Sequence, residues 1–155
     1  GGGVSLTLIH EINLALTWFG KVKDIYACIQ KNKKMNIDVD SNSDFMMQHV
    51  NGVVSQIHMD FLQKSPIRTG TISGLDGWIR YDLINNNLLL ESENNNINKK
   101  FDNVINYNDQ SYLKMLEVFF EYCDKNIMHH EYDIWKGLDS LKIVLSGFEL
   151  ANKKA

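Results

Sequence analysis

The sequence has few of the residues that constrain a backbone or mark a special environment. It contains one proline and two cysteines among 155 residues. With 23% charged and 44% hydrophobic residues it lacks the composition of a disordered chain, and its length is enough for one buried core. We therefore expect one folded domain over residues 1–155.

No charge of one sign dominates, and no long apolar run is present. There are 16 Lys and Arg against 19 Asp and Glu, which argues against a nucleic-acid partner. No apolar run reaches the roughly 18 residues of a membrane span, and the first residues lack the pattern of a secretory signal. We expect a cytoplasmic protein without a membrane partner.

Motifs for metals and nucleotides are also missing. Cys28 and Cys123 form no C-x-x-C pattern, so two buried free thiols are expected rather than a zinc or redox pair. His10-Glu11 is followed by Leu14 where a zinc protease needs its second histidine. No glycine-rich nucleotide motif occurs, so the sequence predicts neither a metal site nor a cofactor site in this chain.

Hydrophobic spacing predicts a helix followed by a strand. Apolar residues between Leu6 and Trp18 recur three and four positions apart, and Gly20 is placed to end the helix. From Val22 to Lys31 apolar and polar residues alternate, which is typical of a half-buried strand.

Two further helices are predicted towards the end of the chain, after an Asn-rich loop at 93–98 and a short strand at 103–107. One begins after Asn108 or Asp109. The other runs from about Glu131 to Lys153 and carries an apolar stripe at helical spacing: Ile134, Leu138, Leu141, Leu145 and Phe148.

Turn signals predict antiparallel hairpins between these helices. A two-residue loop at Asn51-Gly52 would place Phe45, Met47, His49, Val54 and His58 on one face, and a one-residue slip would exchange the faces. A loop at Asp76-Gly77 would place Ile72 opposite Tyr81, with Ile79 on the same face and Ser73 and Arg80 on the other. The fold class is therefore α+β, with an open, mostly antiparallel sheet and helices packed on one face.

Several segments together resemble a known family. Residues 1–13 (GGGVSLTLIHEIN), running on to Trp18-Phe19-Gly20, are similar to the segment that opens the C-terminal half of the glucose–fructose oxidoreductase / inositol dehydrogenase / MocA (Gfo/Idh/MocA) oxidoreductases. Further pieces follow in the family's order along the chain: Asn51-Gly52-Val53-Val54, 57–63 (IHMDFLQ), Arg68 and 72–79 (ISGLDGWI).

The resemblance implies an enzyme of two domains with different roles. An N-terminal Rossmann domain, absent from this chain, would bind NAD or NADP, and the C-terminal domain would supply part of the substrate pocket and the oligomer contacts. The resemblance places His10 near the substrate hydroxyl as a catalytic residue. The family's usual aspartate four residues earlier is Leu6 here, and Thr7 becomes a second catalytic candidate. Candidate substrate-binding residues are Glu11, Asn13 and Arg68.

Two functional hypotheses remain open. The favoured one is the C-terminal domain of an NAD(P)-dependent dehydrogenase acting on a sugar or sugar-like polyol, inactive alone and present as an excised domain or a truncated gene product. The alternative is a free-standing dimerisation or binding module without enzymatic activity. The upstream gene sequence would discriminate, because an in-frame G-x-G-x-x-G strand and helix supports the enzyme.

The apolar side chains left on the presumed open face of the sheet suggest self-association. The predicted interface residues are Phe45, Met47, His58, Trp78 and Arg80, a mixture of aromatic, Met and Arg side chains that is common in protein interfaces. We expect a two-fold dimer through this face.

Overall fold

The computed structural model describes residues 2–92, 97–102, 110–125, 127 and 134–153. The chain divides into two compact units, hereafter unit 1 (Gly1–Leu62 with His129–Ala155) and unit 2 (Gln63–Met128). Each unit contains helix and an open antiparallel sheet, so the predicted α+β class is confirmed.

Four α-helices and seven strands follow one another along the described residues. They are α1 (Gly3–Thr7), α2 (His10–Phe19), β1 (Val22–Gln30), β2 (Asn42–His49), β3 (Val54–Asp60), β4 (Thr69–Gly74), β5 (Gly77–Asp82), β6 (Asn87–Ser92), β7 (Ile97–Asp102), α3 (Gln110–Asp124) and α4 (Ile134–Asn152). Sheet A has the order β1-β2-β3, and sheet B has the order β4-β5-β6-β7.

The single helix predicted at the start is two helices. α1 ends at Thr7 and α2 begins at His10, so the chain leaves regular helix at Leu8 and Ile9. Gly20 ends α2 as predicted, with a φ of 78° that favours glycine.

The core of unit 1 lies between sheet A and the helices α1, α2 and α4. Its fully buried apolar side chains come from each of these elements: Val4, Ile12, Ala15, Ala27, Phe45, Met47, Met59 and Val144. At Gly147 of α4 an added Cβ would lie 2.9 Å from Cζ of Phe45 and 3.3 Å from Cβ of Ala27. The glycine therefore lets α4 approach the sheet more closely than any side chain would allow.

The β2–β3 hairpin has a three-residue loop, so the predicted two-residue loop is wrong. Phe45 pairs with Ile57, one position away from the predicted partner. The backbone N–H of His49 donates to the carbonyl of Val53 at 2.7 Å, and Gly52, with a φ of 90°, donates to the carbonyl of His49 at 3.0 Å.

The longer loop is stabilised by contacts that a local turn signal does not contain. The backbone N–H of Val50 donates to the carbonyl of Lys21 at 2.9 Å, and the side-chain amide of Asn51 donates to the carbonyl of Phe19 at 3.0 Å. Both bonds join the hairpin to the turn between α2 and β1. A two-residue loop would place the two donors at other positions.

The changed register exchanges the faces of β2. Phe45 and Met47 are buried against the helices, with 1% and 0% of their surface exposed. The prediction that they lie on the open face and form oligomer contacts is therefore wrong. Asp44, Met46 and His58 lie on the open face instead.

His49 is a buried polar residue that joins three parts of unit 1. Its Nδ1 lies 2.8 Å from the carbonyl oxygen of Gly20, and its Nε2 lies 2.9 Å from the hydroxyl of Ser55. A carbonyl oxygen can only accept, so Nδ1 carries the proton. The edge of Phe19 contacts the same ring at 5.5 Å between centroids. We interpret His49 as a satisfied structural histidine.

Sheet B keeps the predicted faces although its register differs. Ile72 pairs with Ile79 instead of Tyr81, so the β4–β5 loop is Leu75-Asp76. The shift is two positions, and each side chain stays on its predicted face because side chains alternate with a period of two. Trp78 and Arg80 lie together on one face of this sheet.

The predicted continuous sheet is two sheets. β3 ends at Asp60 and β4 begins at Thr69, and the described residues between them form no strand. This segment contains Pro66, which has no backbone N–H to continue a ladder of hydrogen bonds.

The two predicted C-terminal helices are present within the described residues, but the buried face of α4 differs from the predicted stripe. Its buried residues are Ser140, Val144 and Gly147, while Ile134 and Leu145 are 80% and 48% exposed. Phe148 of the predicted stripe and Ile143 also pack against the core, while Gly147 lets α4 approach the sheet closely. The predicted strand at 103–107 and the caps at 108–109 lie outside the described residues, and β7 overlaps the predicted loop at 93–98.

Both cysteines are free, as predicted, but Cys28 and Cys123 are exposed, so the prediction that they are buried is wrong. No helix among the described residues is long and apolar enough to cross a lipid bilayer.

The close approach at Gly147 gives a matched pair of substitutions on one helix. Gly147→Ala should lower the free energy of unfolding by about 1–3 kcal/mol, because the new methyl group meets the buried ring of Phe45. Gly137→Ala should raise it by about 0.5–1 kcal/mol, because nothing lies within 4 Å of that position and alanine favours helix. Urea unfolding of the two variants measures both changes, and equal effects would contradict the packing described here.

Candidate functional site

The glycine-rich start of the chain is built around Asp40, which lies two residues before β2. Gly3 has a φ of 75°, and an added Cβ would lie 2.6 Å from the carboxyl carbon of Asp40. The same carboxylate accepts the backbone N–H and the hydroxyl of Ser5, both at 2.8 Å, and the Asp40 carbonyl accepts the N–H of Val4 at 3.0 Å. The glycines make room for a side chain of this chain rather than for a ligand.

This arrangement does not fit the phosphates of a dinucleotide. A phosphate at a helix start needs free backbone N–H groups and an absence of negative charge. Here the first N–H groups of α1 already donate to Asp40, whose carboxylate would repel a second anion. The glycine-rich segment of this chain is therefore not a nicotinamide-cofactor site.

The two predicted catalytic residues lie on either side of the break between α1 and α2. Thr7 is the last residue of α1 and is exposed. His10 is the first residue of α2, with its side chain 49% exposed and Nε2 3.5 Å from a carboxylate oxygen of Glu11. An exposed imidazole beside a carboxylate can exchange a proton with a ligand hydroxyl, so the pair is suited to acid–base chemistry.

The three predicted substrate-binding residues have different surroundings. Glu11 lies beside His10 and is partly buried. The side-chain oxygen of Asn13 accepts the hydroxyl of Ser140 at 3.2 Å, so this end of Asn13 joins α2 to α4. Arg68 belongs to unit 2, where its backbone carbonyl accepts the N–H of Leu83 at 2.8 Å. Only His10 and Glu11 are thus shown side by side.

The remaining predicted interface residues lie on two sheets. His58 is on the open face of sheet A. Trp78 and Arg80 are neighbours on sheet B, where the guanidinium carbon of Arg80 lies 5.3 Å from the centre of the Trp78 ring in a cation–π contact.

His58 lies between two carboxylates on the open face of sheet A. Its Nδ1 is 2.7 Å from Asp44 on the neighbouring strand, and its Nε2 is 3.1 Å from Asp60 on its own strand. The Asp60 side chain is 6% exposed, and its other oxygen accepts the N–H of Leu62 at 2.6 Å. The histidine therefore links β2 to the end of β3.

The geometry favours the protonated form of this histidine. An ionised carboxylate only accepts, so an imidazole with a carboxylate at each nitrogen donates through both and carries a positive charge. The hydrogen bond to Asp44, with a smaller contribution from Asp60, raises the pKa of His58 above its ordinary value of 6.5 despite partial desolvation. Because both nitrogens are engaged, we interpret His58 as an electrostatic clamp rather than an acid–base catalyst.

Sequence reasoning did not find this clamp. The predicted register placed Asp44 opposite Met59, whereas the structure pairs Asp44 with His58. A register one residue away from the predicted one would have shown it, because that register places Asp44 opposite His58. Among the described residues no group of three or more His, Cys, Asp or Glu side chains could hold a metal ion.

A family model described as the GFO/IDH/MocA C-terminal domain matches residues 1–80, about half of the chain. The chain belongs to this family.

Several solved structures contain the same fold as this GFO/IDH/MocA C-terminal domain. UDP-N-acetylglucosamine 3-dehydrogenase GnnA from Acidithiobacillus ferrooxidans matches with a TM-score of 0.77 and 19% identity over 92% of this chain and 44% of its own. An oxidoreductase from Agrobacterium radiobacter, in complex with NAD+, L-tartaric acid and magnesium, matches with a TM-score of 0.77 and 17% identity over 95% and 46%. The WlbA dehydrogenase from Bordetella pertussis, in complex with NADH and UDP-GlcNAcA, matches with a TM-score of 0.69 and 16% identity over 99% and 47%.

At these identities the similarity concerns the fold. This GFO/IDH/MocA domain spans about half the length of the solved structures that it matches. No curated protein matches the chain.

The His58 clamp predicts a specific dependence of stability on pH. Because the folded state raises the pKa of His58, the stabilisation is complete below the unfolded-state pKa of about 6.5 and is lost as the pH rises through the folded-state value. The difference in unfolding free energy between wild type and His58→Gln should therefore decline as the pH rises from about 5.5 through the folded-state pKa of His58. We expect less than about 1 kcal/mol, since the imidazole is 56% exposed.

Urea unfolding at a series of pH values measures this difference. Asp44→Asn is the matched control, because it keeps the imidazole and removes the negative charge beside its Nδ1, so most of the pH dependence should disappear. A difference that stays constant with pH would show that His58 is not held as a cation.

Proposed function

We propose that this chain is the substrate-side, C-terminal part of an NAD(P)-dependent oxidoreductase that acts on a sugar or sugar-like polyol. The observation that carries the proposal is the exposed imidazole of His10 beside the partly buried carboxylate of Glu11 at the start of α2, in a chain that belongs to the GFO/IDH/MocA C-terminal family. The named dehydrogenases with the same fold support the reaction class and the sugar-like substrate.

His10 has a definite task in this proposal. Oxidation of an alcohol to a carbonyl removes a proton from the hydroxyl and a hydride from the carbon. The imidazole of His10 takes the proton, and Glu11 stabilises the imidazolium that forms, since its carboxylate lies 3.5 Å away. Thr7, three residues earlier and exposed, donates or accepts a hydrogen bond to the same hydroxyl.

The hydride acceptor binds to a part of the protein other than the described residues. The glycine-rich start of this chain is closed by the Asp40 carboxylate and does not fit a pyrophosphate. The proposal therefore includes a separate nucleotide-binding domain, supplied by the same gene or by another chain.

In a protein that contains this domain, His10→Ala should lower kcat by about 10²- to 10⁴-fold and leave the affinity for NAD(P)H unchanged. The reason is that only proton transfer is lost. Turnover is followed by the absorbance of NAD(P)H with a panel of sugars, sugar nucleotides and inositols. Thr17→Ala is the matched control, because Thr17 is exposed on the same face of α2 two turns further along.

Two results would contradict the proposal. One is wild-type turnover in His10→Ala, which would make His10 structural. The other is the lack of any nucleotide-binding domain in the gene or in a partner chain, which would leave the free-standing binding module as the function.

We also propose that a second copy of the chain packs against the open face of sheet A. Its central row contains Tyr26, Met46 and Gln56, and Val54 lies in the next row. Tyr26, Met46 and Val54 are 58%, 38% and 55% exposed, so the face offers apolar area among polar groups, as interfaces do. This face replaces the one predicted from the sequence and retains only His58 from that set.

The variant Tyr26→Asp with Met46→Asp places charges in the middle of this face, each costing several kcal/mol if buried unpaired. Light scattering after size-exclusion chromatography should show a dimer becoming a folded monomer. Val50→Asp is the control, because Val50 is 69% exposed in the hairpin loop and lies off the face. A wild-type chain that is monomeric at tens of micromolar would refute this proposal.

A further inference from the structure

A shallow depression of about 220 Å³ lies at the β4–β5 turn of sheet B. Its floor is one row of side chains across three strands, because Ser73 pairs with Trp78 and Trp78 pairs with Glu91. A hydroxyl, an indole ring and a carboxylate thus line one side of the depression in that order, all within unit 2.

The rim of the depression is the turn itself, with Leu75 and Asp76 at its tip. Gly77 follows with a φ of 150°, and an added Cβ there would lie 2.9 Å from the Cα of Ser92 on β6. This close approach holds the turn against the neighbouring strand, so the wall of the depression is fixed by the backbone rather than by mobile side chains.

Arg80 contacts the Trp78 ring. It lies two residues farther from the turn on the same face, and its guanidinium is 5.3 Å from the ring centre. The cation–π contact therefore stabilises the ring, and Arg80 itself does not line the depression.

The chemistry of these groups limits the ligand. Asp76 and Glu91 bring two carboxylates, so the site is rich in hydrogen-bond acceptors and repels phosphates. The positive charge of Arg80 beside the ring disfavours a cationic ligand. The volume is below the roughly 300–1,000 Å³ of pockets for drug-sized ligands.

We infer that this depression binds a neutral, hydroxyl-rich ring of the size of one monosaccharide. The apolar face of the ring packs on the indole of Trp78, and its hydroxyls donate to Glu91 and Asp76. The site is separate from the His10–Glu11 pair and does not depend on the oxidoreductase proposal.

Saturation-transfer NMR on the 155-residue chain with methyl β-D-glucopyranoside tests this site without any cofactor. We expect a dissociation constant on the order of 1–10 mM, as suits a small ligand on a shallow site. Trp78→Ala should weaken binding by about tenfold or more. Trp135→Ala, which removes an exposed indole from α4, should leave it unchanged.

Glu91→Gln provides a second variant that preserves the indole, and it should weaken binding by about three- to tenfold. Far-UV circular dichroism checks that each variant is folded. If Trp78→Ala is unfolded, the binding measured for Glu91→Gln tests the inference alone. No saturation transfer to the glucoside, equal transfer in wild type and Glu91→Gln, or displacement of the glucoside by tetramethylammonium at lower concentration would each overturn the inference. A failed dehydrogenase assay would not affect this inference, because the NMR experiment measures binding and no turnover.

Discussion

The structure of unit 1 depends on the contact between the backbone of α4 and the ring of Phe45. At Gly147, α4 lies directly against the ring of Phe45 and the methyl group of Ala27. This contact requires Phe45 to face the helices, and that requirement sets the register of β2 and β3. The helices cover one face of sheet A. As a consequence, the charged clamp lies on the other, open face.

Hydrophobic spacing was enough to predict the class of the fold and most of its elements. Strand β1, the end of α2 at Gly20 and the presence of both C-terminal helices follow from local periodicity and turn residues. The β2–β3 register did not, because Asn51 and Val50 bond to the turn after α2, a contact between segments about 30 residues apart. A dipeptide turn signal contains no information about such a partner.

The candidate site shows the same limit. His10 and Glu11 are adjacent in the sequence, so a motif could find them, and they lie within the residues that the family model matches. The role of Gly3 could not be found in that way, since its close neighbour is Asp40. The His58 clamp could not be predicted for a different reason. The predicted register of the two strands is wrong by one residue, so it does not place Asp44 opposite the imidazole whose positive charge it stabilises.

The bond from Ser5 to Asp40 also links local and global motions. A five-residue helix alone would fray on a fast timescale, and its amides would exchange with solvent freely. The amide of Ser5, however, is held by the carboxylate of Asp40, 35 positions away and two residues before the central strand β2 of sheet A. Its hydrogen exchange should therefore be as slow as that of the sheet, so the least stable helix by length would report the opening of the most central part of unit 1.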